Sequence, residues 1–153
     1  MLVRLPARVR SQTGAELVEF ALVLPILLLV FGGIVDFGLL LQRQQVITNA
    51  AREGARLAVL PGYTSDDVQA RVTAFVREGI NNDSAAPVAT LTPVTVTPGA
   101  GPAFQAARVS VTLADQFLIL GPIVSLAGGT GSFGTIALTA TTTMRVEAAA
   151  SGS

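Results

Sequence analysis

The sequence predicts an α+β protein in which a long N-terminal membrane-spanning helix precedes a small domain. Three patterns indicate this. The stretch from Phe20 to Val35 is apolar and carries no charge, and a second stretch after Thr64 repeats apolar residues at helical spacing. The stretch from Thr135 to Val146 alternates between two faces, which is typical of a half-buried strand. We therefore expect one further helix and an antiparallel sheet of about three strands after the long helix.

The apolar run is long enough to span a bilayer. Asp36 interrupts it, and Phe37 to Leu41 resumes it. At about 1.5 Å per residue, a helix over residues 20–41 measures roughly 33 Å, against a hydrocarbon core of about 30 Å. The preceding residues 1–13 contain no acid and are basic through Arg4, Arg8 and Arg10. A basic flank favours the cytoplasmic side, so we expect a single-pass protein of the cytoplasmic membrane with its N-terminus inside.

Three residues in and beside this run invite specific interpretations. Pro25 cannot donate a hydrogen bond to the carbonyl of Ala21, so we expect a helix kink there. Glu19 places a carboxylate at the edge of the apolar segment, where an unpaired charge is costly and usually functional. The alternative for Glu19 is that it only favours the helix N-terminus through the macrodipole. Asp36 lies either near the outer interface or against a buried polar partner.

Composition excludes several classes of function. The chain of 153 residues has room for one small domain beyond the helix. Its formal net charge is zero, so we expect no nucleic acid as a partner. It contains no Cys and no His, which excludes disulfides, thiol catalysis, histidine bases and typical zinc sites. We expect the acids of the domain to be exposed and scattered: Asp66, Asp67, Glu78, Asp83 and Asp115. The sequence thus predicts a protein that is not an enzyme and needs no cofactor or metal.

The residues just before the apolar run carry a resemblance to a known family. The heptapeptide Gly14-Ala15-Glu16-Leu17-Val18-Glu19-Phe20 resembles the processing site of type IV pilin-like precursors of the tight-adherence class. In that class a prepilin peptidase cuts after a glycine, and a glutamate and an aromatic residue are the fifth and sixth residues of the mature chain. Cleavage after Gly14 would make Ala15 the first residue, Glu19 the fifth and Phe20 the sixth.

The resemblance to the TadE-like pilus assembly family extends to about Arg56 and includes the stretch NAAREGAR. Beyond it, only the strand ending in Met144-Arg145-Val146-Glu147 is similar to the family. The resemblance implies a minor pilin-like subunit, or pseudopilin, that acts in assembly of and adhesion by a tight-adherence pilus after processing. It implies the membrane, the prepilin peptidase, other pilin-like subunits and the pilus assembly platform proteins as partners. The new amine of Ala15 would neutralise Glu19 in the same chain or in a neighbouring subunit.

Several alternatives remain open at this point. The mature subunit would lie in the filament, at its tip or in the membrane machinery. A protein of another class, a single-pass anchored extracytoplasmic binding domain, would never join a filament. A secreted domain released by ordinary signal cleavage is a third interpretation.

The sequence divides into four regions: a cytoplasmic leader (1–14), a long helix (15–60) with the membrane span at about 20–41, a small extracytoplasmic domain (61–147) and a flexible tail (148–153). Pro61-Gly62 ends the long helix. Its small-residue face between Val46 and Ala58 suits packing against the protein's own domain or against other long helices.

Within the domain, Thr64 or Ser65 caps a second helix whose apolar face comprises Val68, Val72, Phe75, Val76 and Gly79. The predicted strands are Val88–Thr97, which Pro93 makes an edge strand or splits in two, Arg108–Leu113 and Thr135–Val146. The apolar stretch Phe117–Leu126 and the glycine-rich residues 127–134 would join the core, lie on the bilayer surface or contact another subunit.

Overall fold

The computed structural model describes residues 12–99, 101–126 and 135–146. The elements, in chain order, are α1 (Gln12–Ala58), α2 (Ser65–Ile80), β1 (Val88–Val96), β2 (Phe104–Gln116), α3 (Leu120–Leu126) and β3 (Thr135–Arg145). The α+β fold class is confirmed, with the long helix first and a three-stranded antiparallel sheet. Of the predicted leader, only Gln12–Gly14 is described, as the start of α1. The glycine-rich residues 127–134 and the predicted tail lie outside the described residues.

The long helix α1 is continuous over 47 residues, which corresponds to about 70 Å. Pro25 lies inside it, and the kink expected there stays a prediction. The helix ends just before Pro61-Gly62, where Gly62 adopts φ +90°, a conformation that glycine tolerates well. The breaker predicted from the sequence therefore lies where the helix stops.

The C-terminal part of α1 packs against the protein's own domain through its small residues. The fully buried side chains on this face are Ile47, Ala50, Ala51 and Ala55. Gly54 brings three elements together, since a Cβ atom there would lie 2.8 Å from Val72 of α2 and 3.3 Å from Val109 of β2. Of the two partners expected for this face, the structure shows the protein's own domain.

The second helix, α2, follows the sequence prediction closely. Thr64 is its N-cap, and Thr64 and Asp67 form a reciprocal capping box. The backbone and hydroxyl hydrogen bonds from Thr64 lower the pKa of the Asp67 carboxyl below its ordinary value. The core-facing side chains of α2 are Val68, Val72 and Val76. Asn81 closes the helix in the left-handed conformation, at φ 51°.

The sheet has the order β1-β2-β3, with both neighbouring pairs antiparallel. Strand β1 lies at an edge and is one piece through Pro93, which faces Ala107. Strand β2 is longer than the predicted Arg108–Leu113, because it is the central strand and pairs on both sides. One face of the sheet is buried in the core through Val109, Val111, Leu113, Leu138 and Ala140. The other face carries hydroxyl pairs such as Ser110 with Thr141, whose oxygens are 2.9 Å apart.

Candidate functional site

The N-terminal part of α1 presents apolar side chains to its surroundings instead of to a core. Between Leu17 and Phe31 the following large side chains are all more than half exposed: Leu17, Val18, Phe20, Leu22, Val23, Ile26, Leu27, Leu28, Leu29, Val30 and Phe31. Within the described residues, α1 is the one helix long and apolar enough to cross a membrane. A surface of this kind is unfavourable in water, so the arrangement is consistent with a single-pass membrane anchor.

The residues of the predicted processing site occupy the first turns of α1. Gly14, Ala15, Glu19 and Phe20 are helical and exposed. Ala15 and Glu19 are four residues apart, so they lie on the same face, one helical turn from each other. An amine created at Ala15 would therefore be close to the carboxylate of Glu19. Cleavage at this site and the assembly roles of Glu19 and Phe20 stay predictions.

Asp36 is a buried polar contact with the chain entering α3. Its side chain is only 2% exposed. The backbone N–H groups of three consecutive residues donate to its carboxylate: Leu118 at 3.0 Å, Ile119 at 3.1 Å to each oxygen, and Leu120 at 2.8 Å. The first N–H groups of a helix lack intrahelical partners, and an acid is favourable near them. Of the two interpretations of Asp36, the buried polar contact is the one observed.

One turn before Asp36, the same stretch of chain touches α1 a second time. The side chain of Ile119 lies over Gly32 so closely that a Cβ atom on Gly32 would be 2.7 Å from Ile119 Cγ2. Gly32 is buried, although Phe31 and Ile34 close to it on the helix are exposed. The apolar stretch after β2 therefore packs against α1 inside the run of residues predicted to span the membrane.

A third contact joins α1 to the end of β2. The guanidinium of Arg43 donates a hydrogen bond to Asp115 Oδ1 and forms an ion pair with it. That hydrogen bond, with Coulombic attraction to Asp115 and Asp36, raises the pKa of Arg43, although burial lowers it. Asp115 was expected to be exposed, and this expectation is wrong, since the residue is 9% exposed. Its Oδ2 atom is buried and has no hydrogen-bond partner among the described residues.

Sequence reasoning missed the contacts of Asp36 and Arg43, whereas its processing site at Gly14 and Ala15 stays a prediction. The signal for Asp36 was present, because an acid inside an apolar helix needs a partner. The partners are backbone N–H groups more than 80 positions along the chain from Asp36; Ile119, for example, is 83 residues away. No side-chain pattern marks such groups. Among the described residues, no group of three or more Asp and Glu side chains could hold a metal ion.

A comparison with known protein families finds a match for the long helix. Residues 14–56 match the family model described as TadE-like protein. Over these residues the long helix is similar to the TadE-like family. The match begins at Gly14, the glycine of the predicted cleavage site, and ends just before α1 ends at Ala58. It supports membership of the pilus-associated TadE-like family through the helix and covers none of the domain that follows. Comparisons with curated proteins and with solved structures gave no match.

Proposed function

We propose that the protein is the precursor of a minor pilin-like subunit of a tight-adherence pilus, and that it acts in pilus assembly and adhesion. A membrane prepilin peptidase trims it between Gly14 and Ala15. The mature subunit resides in the cytoplasmic membrane with its N-terminus inside and its domain outside. From there it associates with other pilin-like subunits and the assembly platform. It works by association, without catalysis, metal or cofactor.

One observation carries this proposal: the TadE-like match starts at Gly14 and coincides with α1. The exposed apolar surface between Leu17 and Phe31 supports it, because this surface needs either lipid or other helices around it. The buried C-terminal part of the same helix anchors the domain. The same helix, α1, would thus hold the subunit in the bilayer and later pack against the long helices of neighbouring subunits.

Glu19 would set the register of association. A charge at the centre of a bilayer costs about 2.5–3.5 kcal/mol on insertion scales, and a carboxylate at the edge of the apolar run costs part of that, so a partner of opposite charge is favoured. The new charge that processing would leave on the mature chain is the amine at Ala15, one helical turn from Glu19. In a filament or a subcomplex, the amine of one subunit and Glu19 of the next would meet only when the two helices are aligned. Close van der Waals contact between the helices would supply the remaining affinity.

A second candidate is a single-pass anchored extracytoplasmic binding domain that never joins other pilin-like subunits. It is favoured by the fact that the family match ends within α1 and leaves the domain uncovered. This candidate requires the membrane span but neither processing nor the pairing of Glu19.

The two candidates are separated by substituting Glu19 in cells that build the pilus. We expect Glu19→Ala to reach the membrane at the normal level but to lose photo-cross-links to other pilin-like subunits, since its partner amine is left unpaired. Glu16→Ala is the matched control, because Glu16 is an exposed acid of the same helical start without the predicted pairing role. Normal cross-linking by Glu19→Ala would overturn the register role, and an absence of such cross-links in the wild type would favour the plain anchor.

A further inference from the structure

We infer that the segment Phe117–Ile123, here called the outer segment, lies within the outer leaflet of the bilayer beside α1. The protein would then contact lipid through two elements instead of one. The inference rests on the membrane-spanning role of α1 in the proposed function, and it does not depend on processing or on pilus assembly.

The length of the exposed apolar surface is the first step. The part of α1 exposed on nearly all sides runs from Leu17 to Phe31, which is about 22 Å of helix. A hydrocarbon core of about 30 Å needs roughly 20 helical residues. A core that begins at Leu17 or Phe20 therefore extends to about Phe37 or Leu40. Gly32 then lies roughly 7–12 Å inside the outer boundary of the core.

The contacts of the outer segment place it at that depth. Ile119 packs directly on Gly32, and Asp36 holds the backbone from Leu118 to Leu120. Since Gly32 lies inside the outer boundary and Asp36 lies close to it, the outer segment must occupy the same slab. The bilayer cannot reach its required thickness around α1 without surrounding the outer segment as well.

The exposed surface at this level has the chemistry of a lipid contact. The outer segment, Phe117-Leu118-Ile119-Leu120-Gly121-Pro122-Ile123, contains no charged residue. Leu118 is 63% exposed. On the side of α1 away from the outer segment, the exposed apolar side chains continue as Ile34, Phe37 and Leu41. No large apolar side chain of α1 beyond Leu41 is exposed, so the apolar surfaces of the helix and of the outer segment end near one level.

The hydrogen bonds to Asp36 lower the free-energy cost of placing the backbone of the outer segment in the bilayer. A backbone N–H group without a partner costs several kcal/mol in a bilayer core, and non-helical backbone is found there only where protein satisfies it. Asp36 accepts from three such groups in succession. In return, those groups stabilise a carboxylate that would otherwise face hydrocarbon. The acid and the irregular backbone thus satisfy each other close to the membrane boundary.

The inference is testable by fluorescence, because the chain contains no Trp. The full-length Leu118→Trp variant would be reconstituted into phosphatidylcholine vesicles containing lipids brominated along the acyl chain. We expect blue-shifted emission and quenching, stronger with bromine near the headgroup end of the chain than with bromine near the terminal methyl. Leu118 is mostly exposed, so the new side chain replaces a surface group.

Two further variants bracket the result. Phe31→Trp lies in the part of α1 exposed on nearly all sides and should be quenched. Tyr63→Trp replaces an exposed side chain beyond the end of α1 and should emit at longer wavelength without quenching. If Phe31→Trp is quenched while Leu118→Trp behaves like Tyr63→Trp, the inference is overturned and the membrane span stands. If Phe31→Trp is also unquenched, the membrane span in the proposed function fails, and the inference fails with it.

Discussion

The backbone N–H of Ile119 donates to both carboxylate oxygens of Asp36, at 3.1 Å to each. This bond joins the middle of the long helix to the chain that enters α3. Ile119 also covers Gly32 with its side chain, so one residue fixes the outer segment to α1 through both backbone and packing. The position of the outer segment therefore depends on Asp36.

Replacement of Asp36 by Ala should release the outer segment. It leaves three N–H groups without their acceptor, and each buried unsatisfied donor costs about 1–3 kcal/mol. We therefore expect the packing of the outer segment on α1 to weaken by at least about 3 kcal/mol. In detergent micelles, chymotrypsin should cleave after Phe117 or Leu118 faster than in the wild type. Asp36→Asn keeps one acceptor oxygen and should show a smaller effect. Equal cleavage rates for wild type and Asp36→Ala would contradict the anchoring role.

The close approach at Gly54 predicts that larger side chains are not tolerated there. Gly54→Val would clash with Val72 and Val109 and should lower the free energy of unfolding by about 1–3 kcal/mol. Gly38→Val is the matched control, since a Cβ atom at Gly38 meets nothing within 4 Å. Thermal unfolding followed by circular dichroism in micelles measures both. A Gly54→Val melting temperature equal to that of Gly38→Val would show that α1 does not pack as described.

The ion pair between Arg43 and Asp115 should contribute more to the free energy of unfolding than an exposed ion pair does. Arg43→Met leaves a mostly buried acid without its partner, and we expect a loss of about 2 kcal/mol in unfolding free energy. Adding Asp115→Asn should recover part of that loss. Arg71→Met removes the more exposed pair with Glu53 and should cost less than about 1 kcal/mol. The account of this contact is wrong if the two arginine variants are equally stable.

The capping box of α2 predicts a dependence of stability on acidic pH. The lowered pKa of Asp67 in the folded protein means that ionised Asp67 stabilises the native state above its unfolded pKa of about 3.9. This contribution is lost as the pH falls through the lower folded value. The melting temperature of Asp67→Asn should therefore fall less between neutral and strongly acidic pH than that of the wild type. Asp66→Asn controls for the change in charge, and an identical pH profile for wild type and Asp67→Asn would refute the effect.

The local elements could be predicted because their signals are local. The Thr64 cap, the breaker at Pro61-Gly62 and the alternation in β3 each depend on neighbours along the chain. Pro93, which has no N–H group to donate to a ladder, predicted that β1 is either an edge strand or two pieces, and the edge strand is the one observed.

The candidate site was predictable only in part. The proposed processing residues form a contiguous motif and stay a prediction, whereas Asp36 and Asp115 acquire partners through folding. A charge inside an apolar helix indicates that a partner exists, but backbone N–H groups leave no mark in the sequence. The short helix α3 was not predicted either, since Gly121 and Pro122 interrupt its apolar pattern and Asp36 satisfies the N–H groups at its start.

The most direct test of the whole account is the N-terminus of the native protein. The protein would be extracted from membranes of cells that possess the prepilin peptidase, and its intact mass and N-terminal peptide determined by mass spectrometry. We predict a chain that begins at Ala15, with Glu19 as its fifth residue. A chain that still begins at Met1 or Leu2 in those cells would contradict the pilin-like function and leave the plain membrane anchor.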